Sequence, residues 1–192
     1  MDHIIPFAKF MGIVCPSLYC GFTASDSLTF IEPIVQHAPN QKVMAKQWFQ
    51  GYQYGPLWVP PLIASSTISN LILAYTAAPI TPLQHALYLA AALAIFSILP
   101  LTFFYMEPGI NGALKWKVQS LCKDDGFCLL ETSALVPSAH RHGSSRASRV
   151  WAERTHVRDL ILFWRRVNNF RWVVAAFAAG LSGVATFSVI DV

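Results

Sequence analysis

Residues 163–172 read FWRRVNNFRW and bring three arginines, two tryptophans and an Asn-Asn pair to the mouth of an uncharged apolar run, VVAAFAAGLSGVATFSVI. Arginine and tryptophan both gather where a helix leaves a bilayer, so a membrane anchor is the simplest reading of the segment. Its spacing adds a second. At about 3.6 residues per turn, Trp164, Asn168 and Arg171 stand at i, i+4 and i+7 and share one helical stripe, while Arg165 and Arg166 point elsewhere. A guanidinium paired with an amide is a set of fixed donors suited to holding an oxyanion. The competing assignment has Arg171 reaching lipid phosphate and Asn168 capping a neighbouring helix.

Two further segments are rich in aromatic and polar groups: WFQGYQYGPLWVPPL at 48–62 and LPLTFFYMEPGINGAL at 99–114. Their candidates are Trp48 and Tyr52 in the first, and Thr102, Tyr105 and Asn111 in the second. Asp26 is a carboxylate within an apolar segment, which is costly and marks a functional candidate by default. Glu107 reads as a cap or an interfacial charge, and His37 as a loop residue.

The elements that must carry these groups follow from composition. Of the 192 residues 54% are hydrophobic and only 12% charged, against about 25% charged in ordinary soluble domains. A helix needs roughly 20 apolar residues to cross the hydrocarbon core, and four stretches qualify: about 10–31, 56–78, 86–106 and 172–190. The expectation is one all-α domain over 1–192, an integral membrane four-helix bundle with a long polar cytosolic loop between its third and fourth helices. The first stretch has no cleavage site behind a basic start and reads as a retained helix. Pro60, Pro61 and Pro100 mark helix ends that face a cavity or a partner. The pairs Ala176/Gly180 and Ala179/Gly183 would let the last helix approach a neighbour closely.

Thirteen of the 14 Lys and Arg residues fall in the 32–55 and 107–171 connections, leaving only Lys9 on the opposite side. By the positive-inside rule both termini are lumenal and the long connections cytosolic, in the endoplasmic reticulum or a related endomembrane. In that topology Asp26, Trp48, Tyr52, Thr102, Tyr105, Asn111, Trp164, Asn168 and Arg171 crowd one end of the bundle. The net charge of +4 is this asymmetry, so the partners are membrane lipid and no nucleic acid.

From 115 to 154 the chain is polar, including SAHRHGSSRASR at 138–149 with no apolar period, and is expected to be mobile. Toward its end Val157, Leu160, Ile161 and Trp164 adopt helical spacing, so the last helix starts near Thr155. His140 and His142 have no carboxylate or cysteine at ligand spacing, and no metal site is expected. Cys15, Cys20, Cys122 and Cys128 form no CxxC pair, which argues against a thiol redox enzyme.

The chain resembles the anthrone oxygenases, small fungal membrane proteins that serve aromatic polyketide pathways. The motifs are Gly21, Ser25 or Ser27 and Pro33 in the first helix; Trp48, Tyr52, Gly55 and Pro60 entering the second; Pro100, Thr102, Pro108, Asn111 and Leu114 after the third; and Trp164, Asn168 and Arg171 opening the fourth. The resemblance implies an O₂-dependent oxygenase that uses no cofactor, in keeping with a sequence that has no dinucleotide fingerprint, haem or iron ligand set, or flavin site. An anthrone has an acidic central methylene, and its anion can itself reduce O₂. Such a protein needs a base, donors for the substrate oxyanion and a flat apolar slot. Arg171, Asn168 and Asn111 are the expected donors, Asp26 the base, and Trp48, Tyr52, Thr102, Tyr105 and Trp164 the substrate-binding residues. Two alternatives stay open: a cofactor-free polyketide cyclase or isomerase, and a non-enzymatic membrane scaffold or transporter.

Overall fold

A computed structural model describes residues 3–78, 81–133 and 138–188. It is almost wholly helical. Helix α1 (Ile4–Ser25) passes through a π-helical turn at Asp26–Phe30 into α2 (Ile31–His37), then come α3 (Gln41–Tyr52) and α4 (Gly55–Ala77). Helices α5 (Pro82–Phe96) and α6 (Ile98–Pro100) lead into a π-helical segment at Leu101–Asn111, followed by α7 (Gly112–Leu121). After a 3-10 turn at Lys123–Asp125 and the short parallel strands β1 (Leu130–Glu131) and β2 (Arg141–His142), the chain ends in α8 (Arg146–Arg154) and α9 (Val157–Phe187).

Among the described residues, four helical runs are long and apolar enough to cross a membrane: Ile4–His37, Gln41–Ala77, Pro82–Leu121 and Val157–Phe187. All four expected spans are present, and each run is longer than expected. The third run has 40 residues, about twice the roughly 20 that a helix needs to cross the hydrocarbon core. Hydropathy marks only the part that lipid must solvate. The remainder is held by local signals, such as Asn40, which caps α3 by accepting from the Val43 amide at 2.9 Å.

The chain divides into two compact units, each with its own core. Unit 1 comprises residues 1–23, 59–99 and 170–192, and holds much of the four apolar stretches. Tyr19, Ile63, Ile95, Ile98, Ala175 and Ala178 form one of its buried clusters, and Ala8, Leu73, Ala74, Tyr88 and Ala185 another. Large apolar side chains such as Phe7, Phe10, Leu93 and Phe177 are exposed on it, as lipid contact requires. Asn70 is buried and donates its Nδ2 to the Ser66 and Gly12 carbonyls. The close-packing face of α9 differs from the one expected: Ala175, Ala178, Ser182 and Ala185 are fully buried, while a Cβ added at Gly180 or Gly183 would meet nothing within 4 Å. The residues that pack are the ones that continue the stripe of Trp164, Asn168 and Arg171.

Unit 2 comprises residues 24–58 and 100–169. Its core joins Ile31, Met44, Trp48 and Phe49 to Met106, Ile110, Leu114, Val118, Leu160, Ile161 and Trp164. Much of the 115–154 connection, expected to be an irregular mobile loop, belongs to this unit as regular structure; residues 134–137 lie outside those described. Hydrophobic periodicity missed it because polar groups do the holding. Ser145 donates its amide to the Pro108 carbonyl at 3.1 Å and caps α8 by accepting from the Ser148 amide. The Arg149 guanidinium donates to Ser144, pairs with Glu131 and lies 4.7 Å over the Trp116 ring. Gly112 is required at the contact, since a Cβ there would stand 2.7 Å from both the Glu107 carbonyl oxygen and Ser144 Cα.

Candidate active site

Leu101–Asn111 is eleven residues of π-helix, with Pro108 inside and a kink at Gly109 where ψ is −107°. Proline cannot donate a helical hydrogen bond, and the wider turn accommodates that loss. From this segment into α7, Glu107, Asn111 and Lys115 follow one another at four-residue spacing and all three side chains are buried. They form the centre of a polar network inside unit 2.

Glu107, only 3% exposed, accepts on Oε1 from the Tyr52 hydroxyl at 2.6 Å and from Asn111 Nδ2 at 2.7 Å. Its Oε2 takes the Lys115 ammonium at 2.9 Å. That ammonium also donates to the Ser138 carbonyl at 2.9 Å and lies 4.7 Å over the Tyr52 ring. Asn111 uses its other end as well, accepting from Trp164 Nε1 at 3.0 Å. Trp48 closes the aromatic side, stacked on Tyr52 at 4.9 Å and set edge-on to Trp164 at 6.0 Å. Its own indole N–H is buried and has no hydrogen-bond partner among the described residues, an unusual and costly state for a buried donor.

The stripe read on the last helix is real in burial. Trp164, Asn168 and Arg171 are buried, while Arg165 is partly exposed and Arg166 is exposed. Asn168 donates to Ser27 Oγ at 2.9 Å within unit 2. Arg171 lies in unit 1 with its guanidinium 5.6 Å over the Tyr19 ring. Arg165 pairs with Glu32 at 2.5 Å, a surface role distinct from that of Arg171.

Trp48, Tyr52, Asn111 and Trp164 are thus brought together as expected, with two changes. Asn111 bridges Glu107 and Trp164 rather than standing as an open donor. Tyr105 is 52% exposed and stays out of the network. Thr102 is partly buried on the same π-helical segment, and Asp26 is partly exposed at the start of the first π-helical turn. The carboxylate buried among polar partners is Glu107, for which a cap or an interfacial charge was the expectation, and its lysine partner was missed. The signal for both was the Glu107, Asn111, Lys115 spacing, which places two opposite charges and an amide on one helical face.

Two other features of unit 2 lie apart from this network. A cavity of about 450 Å³ is lined by Trp116, Lys123, Phe127, Cys128 and Glu153 among others, and by none of the residues expected in the site. His142 is buried, bonded to Ser144 Oγ at 2.9 Å and edge-on to Trp116; burial first, and then the nearby Arg149 charge, push its imidazole below the ordinary histidine value. His140 is exposed.

The architecture defines a class: a helical protein with four membrane-length runs among the described residues and a buried carboxylate–lysine pair bonded to a tyrosine beside two indole rings. The sequence model of the family described as anthrone oxygenase matches residues 48–181, and the chain belongs to that family. The matched span contains Trp48, Tyr52, Glu107, Asn111, Lys115, Trp164, Asn168 and Arg171, and begins after Asp26. No curated protein and no solved structure matches the chain.

Proposed function

We propose that this protein is a membrane-bound oxygenase that converts an anthrone-type aromatic polyketide and O₂ to the anthraquinone and water. The observation that carries the reading is the buried Glu107 network beside Trp48, Tyr52 and Trp164. Loss of a proton from the central methylene leaves an aromatic, electron-rich anion. That anion is the reductant: it passes one electron to O₂, recombines to a peroxide at the same carbon and eliminates water to leave the ketone. The protein must therefore take one proton, stabilise the developing oxyanion and hold a flat ring system.

Each task has residues suited to it. Glu107 is the acid–base carboxylate in preference to Asp26, because it is buried and held by three side chains, and general bases need fixed geometry. Asn168, buried on α9 within unit 2, is assigned as an oxyanion donor, and Arg171 on the same stripe keeps the donor role that the family resemblance implies. The indole and phenol rings offer the planar apolar surface that an aromatic substrate stacks on.

The test is incubation of the purified protein with emodin anthrone in air and under argon. The expected outcome is quinone formation with uptake of one O₂ per turnover in air, and none under argon. Turnover to an isomer or cyclised product without oxygen uptake would replace this reading with the cyclase alternative.

A further inference from the structure

Of the three side chains that bond Glu107, Asn111 and Lys115 are buried and Tyr52 alone is partly exposed. The carboxylate is itself enclosed, and its Oε1 accepts from the Tyr52 hydroxyl at 2.6 Å. A carbon acid must approach its base within hydrogen-bond reach, and Tyr52 is the one residue among those bonded to Glu107 that is not buried. We infer that Tyr52, rather than Glu107, meets the substrate C–H and passes the proton on. This inference rests on the oxygenase reading and names the catalytic residue within it.

The step balances as a two-proton relay. The methylene C–H bond breaks and its proton forms a new O–H bond on Tyr52, while the phenol's original proton moves to Glu107 Oε1. The electron pair stays on the substrate as the conjugated anion, leaving a neutral tyrosine and a protonated carboxyl. After O₂ has taken up the substrate electrons and bonded to carbon, the same relay runs backwards and returns the proton from Glu107 through Tyr52 to the peroxide. The hydroperoxide then loses water as the remaining C–H and the O–O bond break together. The Lys115 ammonium lies 4.7 Å over the Tyr52 ring and 2.9 Å from the carboxylate, so it favours negative charge on the phenol oxygen as well as on Glu107. Stacking on Trp48 fixes the ring, so the hydroxyl is positioned from both faces.

Exchange of the methylene hydrogens into heavy water, followed by NMR under argon, isolates the proton step from the oxygen chemistry. Wild type is expected to accelerate exchange, and Tyr52→Phe, which keeps the stacked ring, to lose about 100-fold or more with substrate affinity unchanged. The pair Glu107→Gln with Lys115→Met, which leaves no buried charge unpaired, is expected to lose exchange as well. In air, turnover of wild type should show a solvent isotope effect from the phenol proton and a separate primary effect when the substrate methylene is deuterated. Exchange retained in Tyr52→Phe but lost in the Glu107/Lys115 pair would overturn the relay and make the carboxylate the direct base. Failure of wild type to exchange or oxygenate the anthrone would instead overturn the oxygenase reading.

Discussion

The Lys115 ammonium lies 2.9 Å from the Glu107 carboxylate, and the two side chains are 0% and 4% exposed. Breaking a buried pair by removing one partner strands a charge in low dielectric and costs about 3–5 kcal/mol, whereas replacing both is often close to neutral. Lys115→Met or Glu107→Gln alone is therefore expected to lower the thermal midpoint in detergent sharply, and the double variant to recover most of the loss. Equal additive losses in a double-mutant cycle would show that the pair is not coupled.

His142 makes the 138–149 segment pH-sensitive. Its imidazole is held below the ordinary histidine value by burial and by Arg149, so the unfolded chain binds the proton first as pH falls. Stability from this group is complete above about pH 6.5 and declines below it, down through the folded value. Limited proteolysis of the segment should accelerate on acidification across that window. His142→Phe should remove the dependence.

Cysteine exposure tests the orientation. Cys128 is exposed, Cys15 and Cys122 are buried and Cys20 is intermediate. If the long connections are cytosolic, a membrane-impermeant maleimide will label Cys128 in sealed microsomes without detergent, and Cys128→Ser will abolish most of that signal. Labelling of Cys128 only after detergent would reverse the topology.

The four spans were legible because lipid imposes a uniform apolar requirement over about 20 residues. Unit 2 was not, because its order comes from contacts distant in sequence. Lys42 and Lys46 both pair with Asp125, and Gln41 accepts from the Val157 amide across 116 residues. No local period encodes such pairs. Trp48, Tyr52, Asn111 and Trp164 could be placed together because helix ends on one side of a bundle must converge. Tyr105 lies outside the Glu107 network and is exposed, since sequence sets which helix carries a side chain but not which way a π-helical segment turns it.

The last prediction separates the arginines of FWRRVNNFRW. Arg171 is buried on the stripe with Trp164 and Asn168, Arg165 pairs with Glu32 near the surface, and Arg166 is exposed. Lysine keeps the charge but not the planar fork of a guanidinium. Arg165→Lys can still meet the Glu32 carboxylate, and Arg166→Lys can still meet water or headgroups, so both variants are expected to retain turnover. Arg171→Lys replaces a fixed pair of donors with a flexible point charge. Loss of one preorganised oxyanion donor costs about 2.7–4 kcal/mol in transition-state stabilisation, or about 100- to 1000-fold in rate. The measurement is quinone formation per unit of folded, membrane-inserted protein for each variant. If all three lysine variants turn over equally, Arg171 serves the helix as an anchor and the oxyanion must be held elsewhere.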